Sequence, residues 1–372
     1  MCKTKIIIVA GARPNFMKVQ PFMKAISSFN RSLESTEGRV DALLVHTGQH
    51  YDENMSGVFF RELGIQPPDI NLGVGSASHA VQTANIMTGF EAVCIREKPD
   101  WVVVVGDVNS TMACTLVCVK MGIRVAHIEA GLRSYDRTMP EEINRIVTDA
   151  LADLLLTPSA DADENLLREG ISREKIKLVG NIMIDSLIDN LPKAKALGTL
   201  ASLELEPARF VYVTLHRPQN VDNKASLSAI MAGMERISKR LPVIFPVHPR
   251  TRKMLSEFGL VTHSVGNFKL LDPLGYLESL YLTENARLVL TDSGGLQEEA
   301  TYFRTPCLTL RPNTERPITV TLGSNRLTKL DRIISDVEEV LDGPPRKGQI
   351  PPFWDGHTAE RVLQHILAAT RA

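Results

Sequence analysis

Along the chain, short and fully apolar runs alternate with longer segments whose apolar residues recur at helical spacing. The runs are KIIIVA (5–10), DALLVHTG (41–48), WVVVVGD (101–107), RVAHIEA (124–130), DLLLTP (153–158) and KIKLVGN (175–181). Strands that are apolar on both faces are covered on both faces, so this alternation predicts a parallel sheet between helices. The pattern then restarts with RFVYVTLHR (209–217), LPVIFPVHP (241–249), FKLLDP (268–273), ARLVLTDSGG (286–295) and TPCLTLRP (305–312). We therefore expect an α/β protein of two doubly wound, Rossmann-like domains, 1–185 and 205–356. Residues 186–204 show no strand and read as a linker. The amphipathic segment 357–372 is expected to form a last helix that crosses back onto the first domain. Sheets of this kind bind ligands at the carboxyl ends of their strands, which predicts an active site in the interdomain cleft.

Composition changes this picture little. The 372 residues are 44% hydrophobic and 23% charged, with a net charge of −1. That charge supplies no field to attract nucleic acid or an anionic membrane, so neither is an expected partner. Any anionic ligand must be held by local geometry. No run reaches the roughly 20 apolar residues of a membrane span. The N-terminal run is too short for a signal peptide, and the five cysteines form no Cys-x-x-Cys motif. A reducing cytoplasm fits.

What changes the picture is where the polar residues fall, because they gather where a strand hands over to a helix. In VAGARPNFMK, Arg13 precedes a helix beginning near Pro14, with Lys18 farther along. A cation at the positive end of a helix is unfavourable without an anion, so the pair reads as a phosphate site or as two surface cations. In TDSGGLQEEA, Ser293, Gly294 and Gly295 open a helix whose amides favour an anion, with Glu299 available to a ribose diol; the competing reading is a capping box. His216 with Arg217, and His248 with Arg250, follow strands in the second half. Asp107 follows a strand in VVGDVNST and could instead cap a helix. Gln49 and His50 follow the second strand. In HIEAGLRSYDRTMPEEINR, Glu129 follows a strand, while Glu141 opens a helix with Arg145 four residues on, a spacing that predicts an ion pair. No His cluster has metal-ligand spacing, and no G-x-G-x-x-G sits at a strand–helix turn, so neither a metal nor a dinucleotide cofactor is expected.

Taken together, GARPNFMK, TGQH, GDVNST, HIEAGLRS, PEEINR, VGNIMID, TLHRPQN, HPRT, TDSGGLQEEA and RPNTERP occur in one order over nearly the whole chain. The chain resembles the non-hydrolysing UDP-N-acetylglucosamine 2-epimerases, whose fold is similar to that of GT-B glycosyltransferases. The resemblance implies interconversion of UDP-GlcNAc and UDP-ManNAc through elimination of UDP to 2-acetamidoglucal and re-addition, without cofactor. It implies Asp107, Glu129 and Glu141 as acid/base carboxylates, with His216, Lys18 and Arg145 as charged companions. Arg13, Ser293, Gly294 and Gly295 are implied for the diphosphate, Glu299 for the ribose, and His248 and Arg316 for UDP binding. Gln49, His50 and Arg133 are implied for the sugar or for a second nucleotide-sugar site. A homodimer serving cell-envelope polysaccharide synthesis is the family's expected setting. The chain departs from the family in reading GARPN where many relatives have GTRPE. Asp52 also replaces a Gln of the activating second site, and NLGVGSASHAVQ supplies no Arg, so weak or absent allosteric activation is expected. The rival readings are a 2-epimerase of a related sugar such as UDP-2,3-diacetamido-glucuronate, a hydrolysing epimerase, a GT-B glycosyltransferase and a non-catalytic UDP-sugar sensor.

Overall fold

The structure is a computed structural model. It describes residues 4–34, 38–48, 66–261, 263–344 and 348–371, without the side chains of Arg13 and Pro14. The chain forms two compact units, Met1–Ser186 with Pro352–Ala372, and Leu187–Pro351.

The first unit is built on β1 (Thr4–Ala10), β2 (Val40–His46), β3 (Ile70–Asn71), β4 (Trp101–Val105), β5 (Arg124–Ile128), β6 (Leu154–Thr157) and β7 (Ile176–Leu178), in the order β3-β2-β1-β4-β5-β6-β7. All six pairings are parallel. The apolar runs explain the central strands, since Ile6, Ile7, Ile8, Val102, Val103 and Val104 are fully buried. The winding direction reverses between β1 and β4, leaving a crevice beyond their carboxyl ends.

The second unit repeats the plan with β8 (Val211–Thr214), β9 (Val243–Pro246), β10 (Phe268–Leu271), β11 (Leu288–Thr291), β12 (Cys307–Leu310) and β13 (Asn325–Thr328), in the order β10-β9-β8-β11-β12-β13. This sheet is also parallel throughout and reverses between β8 and β11. The edge strands β3 and β13 escape the apolar-run criterion. One has two residues and the other, NRLT, carries polar residues, of which Asn325 and Thr328 are buried and Asn325 is hydrogen-bonded to Thr309, Gln297 and Thr319.

The stretch 186–204 is helical, not an irregular linker: helices Ile182–Ala196 and Thr199–Ser202 run through it. The last helix, Thr358–Arg371, belongs to the first unit. Its entry is built by VGNIMID. Gly180 has φ +95°, and a Cβ there would lie 2.1 Å from the Phe353 carbonyl oxygen. The Asp185 carboxylate accepts the Thr358 and Ala359 amides at 3.2 and 2.7 Å, capping the helix. At the far end, Trp101 Nε1 donates to Thr370 and Arg124 to the Ala369 carbonyl. Cys94, Cys114, Cys118 and Cys307 are buried and free.

Candidate active site

In the first unit, the ends of β4 and β5 bring the candidate residues Asp107 and Glu129 side by side. The Gly106 amide donates to the Ile128 carbonyl, so the turn after β4 lies beside the turn after β5. Lys18, from the helix Arg13–Ser32, pairs with Glu129 beside Gly106 at the end of β4; the Lys18 side chain is mostly buried and that of Glu129 fully so. A Cβ on Gly106 would lie 3.2 Å from both Glu129 Oε2 and Lys18 Nζ, so only glycine allows this approach next to Asp107. Glu129 itself has φ +71°, a left-handed conformation that is strained for a non-glycine residue and is held by the surrounding structure.

Arg145, on the helix Pro140–Leu151, pairs with Asp107, whose side chain remains about one-third exposed. Its other partner is Glu142, at 2.5 and 3.0 Å, and not Glu141. The pairing expected at i,i+4 is therefore replaced by one at i,i+3. Glu142 faces inward, where it also accepts the Ser134 and Tyr135 amides at 3.0 and 2.8 Å. Burial alone would raise the Glu142 carboxyl. The Ser134 amide and Arg145 outweigh it and hold the group below its ordinary range. Glu141 is exposed on the first helical turn.

Three asparagines support this cluster. Asn15 accepts the Gly11 and Ala12 amides and donates to the Val105 carbonyl at 3.1 Å, tying the turn after β1 to β4. This is one of the two positions, with Ala12, where GARPN departs from GTRPE, and Asn15 carries the local support. Asn144 donates to the Asp107 carbonyl at 2.9 Å, and Asn109 donates to Gln82 at 2.7 Å. The Asp107 side chain therefore pairs with Arg145 instead of capping the helix Asn109–Lys120.

One expectation is corrected, while Lys18 stands as the charged companion of Glu129 and not as a free surface cation. Arg133 is buried and bonded to Glu169 at 2.8 and 2.6 Å and to Asp149 at 2.6 Å, so it does not face a sugar or a second nucleotide site. The Arg13 side chain, Gln49, His50 and Asp52 lie outside the described residues.

In the second unit, Asp292 follows β11 and is fully buried. It accepts the amides of His216 and Arg217, at 3.1 and 2.9 Å, and Asn220 Nδ2 at 2.9 Å. Its Oδ1 is 3.2 Å from His216 Nδ1. The ring of His216 packs on His248 with centroids 5.3 Å apart. Burial, and then His216, lowers the pKa of His248, whose Nδ1 accepts the Arg250 amide.

The helix Gly294–Phe303 begins without a side-chain cap, against the capping-box reading. Space beside Gly295 is open. Arg316 stands over Gly294, held by Glu298 at 2.9 Å and by Glu315. Glu299 is buried, with Oε2 lacking a hydrogen-bond partner among the described residues. Burial and then Glu298 push its carboxyl up to about 8. An anion-accepting helix end thus lies beside an unsatisfied carboxyl.

The family model described as UDP-N-acetylglucosamine 2-epimerase matches residues 31–367. The chain belongs to the UDP-N-acetylglucosamine 2-epimerase family. It is 42% identical to a UDP-N-acetylglucosamine 2-epimerase of Methanococcus maripaludis, over 97% of this chain and 98% of that one. A Pseudomonas aeruginosa UDP-2,3-diacetamido-2,3-dideoxy-D-glucuronate 2-epimerase is 41% identical, over 97% and 99%. Among solved structures, the Methanocaldococcus jannaschii UDP-GlcNAc 2-epimerase in complex with UDP-GlcNAc and UDP has a TM-score of 0.85 and 42% identity, covering 98% of this chain and 100% of that one. The GT-B-like class expected from the epimerase family's motifs agrees with the two parallel Rossmann-like sheets. The signals that mark Glu142, Asn144, Asp292 and Asn15 as supports are tertiary, although all four lie inside the motifs PEEINR, TDSGG and GARPN.

Proposed function

We propose that the chain is a non-hydrolysing 2-epimerase that interconverts UDP-GlcNAc and UDP-ManNAc. The observation that carries this reading is the pairing of each strand-end carboxylate with a cation at one switch point, Lys18 with Glu129 and Arg145 with Asp107. A UDP-sugar sensor has no need of such groups, and a glycosyltransferase needs fewer of them near C2.

The chemistry explains the arrangement. The C2 hydrogen has no adjacent carbonyl, so direct deprotonation is too hard. Breaking the C1–O bond to UDP, first or concurrently, makes C1 cationic and the C2 hydrogen acidic. Elimination gives 2-acetamidoglucal and UDP. The proton returns to C2 on the opposite face and UDP adds back to C1. Removal and return on opposite faces require carboxylates on both, the role we assign to Asp107, Glu129 and Glu141. The paired cations hold Glu129 and Asp107 in orientation. Ser293, Gly294, Gly295, His216, His248, Arg13 and Arg316 are assigned to the leaving UDP, whose firm hold lowers the barrier to C1–O cleavage. Glu299 is assigned to the ribose. The buried free cysteines favour a reducing cytoplasm, and we infer a homodimer serving cell-envelope polysaccharide synthesis.

The test is proton NMR of the protein with UDP-GlcNAc in D2O. UDP-ManNAc carrying deuterium at C2 is the expected product. Free ManNAc would mean hydrolysis, and binding without turnover would sink the reading. The Pseudomonas relative supports a second reading, a diacetamido-glucuronate sugar. Faster turnover of that nucleotide sugar than of UDP-GlcNAc would favour it.

A further inference from the structure

We propose that His127 is a positioning residue for this reaction, a buried cationic tie that fixes the Asp107 turn and Glu129 against one another. The proposal rests on the epimerase reading. His127 lies on β5 and has no exposed surface. Its Nδ1 is 2.6 Å from Asp149 Oδ1, and its Nε2 is 2.8 Å from the Gly106 carbonyl oxygen. A carbonyl only accepts. The other oxygen of Asp149 accepts Arg133 at 2.6 Å and the Gly131 amide at 3.0 Å, donors that hold the group as a carboxylate, so it also only accepts. Both ring nitrogens must therefore donate, which makes His127 an imidazolium. The charges of the group close: His127 and Arg133 against buried Asp149 and, at its solvent edge, Glu169.

The position of this cation gives it more than a packing role. Gly106 O belongs to the peptide that leads into Asp107, and Glu129 follows His127 by two residues. Asp149 lies on the same helix as Asn144 and Arg145, which hold the Asp107 carbonyl and carboxylate. Its Oδ2 accepts the Gly131 amide at 3.0 Å, just past Glu129. One imidazolium thus connects the three elements that carry the reacting carboxylates and their arginine. Displacing such groups by a fraction of an ångström to an ångström is enough to cost large factors in rate.

The experiment uses the full chain and His127→Gln, which keeps one neutral donor and loses the charge. The kcat for UDP-GlcNAc is expected to fall roughly 100-fold, with KM within threefold. Arg133→Met removes a cation from the same buried group but leaves the Gly106 contact, and its kcat is expected to stay within about threefold of wild type. Equal losses in both variants, or an unchanged kcat in His127→Gln, would overturn the proposal. So would NMR of the 15N-histidine-labelled wild type if the most solvent-protected imidazole showed a bare ring nitrogen; two protonated nitrogens are expected, and this readout holds whether or not a variant folds. Absence of turnover by the wild type would count against the epimerase reading, while the NMR result would still decide the charge of His127.

Discussion

Glu299 shows at the scale of one residue how burial changes the titration of a carboxyl. Its folded carboxyl binds a proton up to about 8, against 4.5 for an unperturbed group, because burial and then Glu298 disfavour the charge. Between those values the folded chain holds a proton that the unfolded chain has released. Stability from this group is therefore lost as pH rises from about 4.5 to about 8. Glu299→Gln should flatten that dependence, as read from urea unfolding at pH 5 and pH 8. Parallel slopes for wild type and variant would contradict it. At this same scale the neighbours Glu141 and Glu142 look equivalent in sequence. Only the folded helix shows that Glu142 turns inward to Arg145 while Glu141 stays exposed.

Among the elements, the returning C-terminal helix depends most on a single position. Gly180 combines a left-handed backbone with a 2.1 Å approach of its absent Cβ to the Phe353 carbonyl. Gly170, with φ +84°, has the same backbone region and nothing within 4 Å of a Cβ. Gly170→Ala should cost only the conformational strain, about 1 kcal/mol. Gly180→Ala should cost roughly 2–4 kcal/mol, because the crossing segment must shift as well. Thermal melts of the two variants separate these contributions, and equal shifts in Tm would show that the crossing tolerates displacement. Element by element, the central strands are legible because burial on both faces requires continuous apolar residues. The strands β3 and β13 are not, since one has only two residues and the other buries an asparagine whose hydrogen-bond partners Thr309, Gln297 and Thr319 are supplied by the folded unit. The helices across 186–204 escape notice for a related reason: no strand pattern marks them, and their residues suit a helix or a polar connection equally well.

For the molecule as a whole, each unit brings its polar residues to its own switch point, the first supplying carboxylates with cations and the second an anion-accepting helix end with Asp292, His216 and Arg316 around it. The family's second-site pattern is incomplete in this chain, with Asp52 in place of Gln and no Arg in NLGVGSASHAVQ. Initial rates should therefore rise hyperbolically with UDP-GlcNAc. A sigmoidal curve that becomes hyperbolic on substitution of Gln49 would refute this. The two sheets, their parallel sense and the placement of candidate residues at strand ends were determined by sequence alone, because hydrophobic period and strand-to-helix handover are properties of contiguous residues. Tertiary structure decided which charge meets which. Lys18 and Glu129 are 111 residues apart, Arg145 and Asp107 are 38 apart, and His127 meets Gly106 across 21. Ion-pair partners in a buried site are chosen by strand register and helix packing, and no local pattern encodes them.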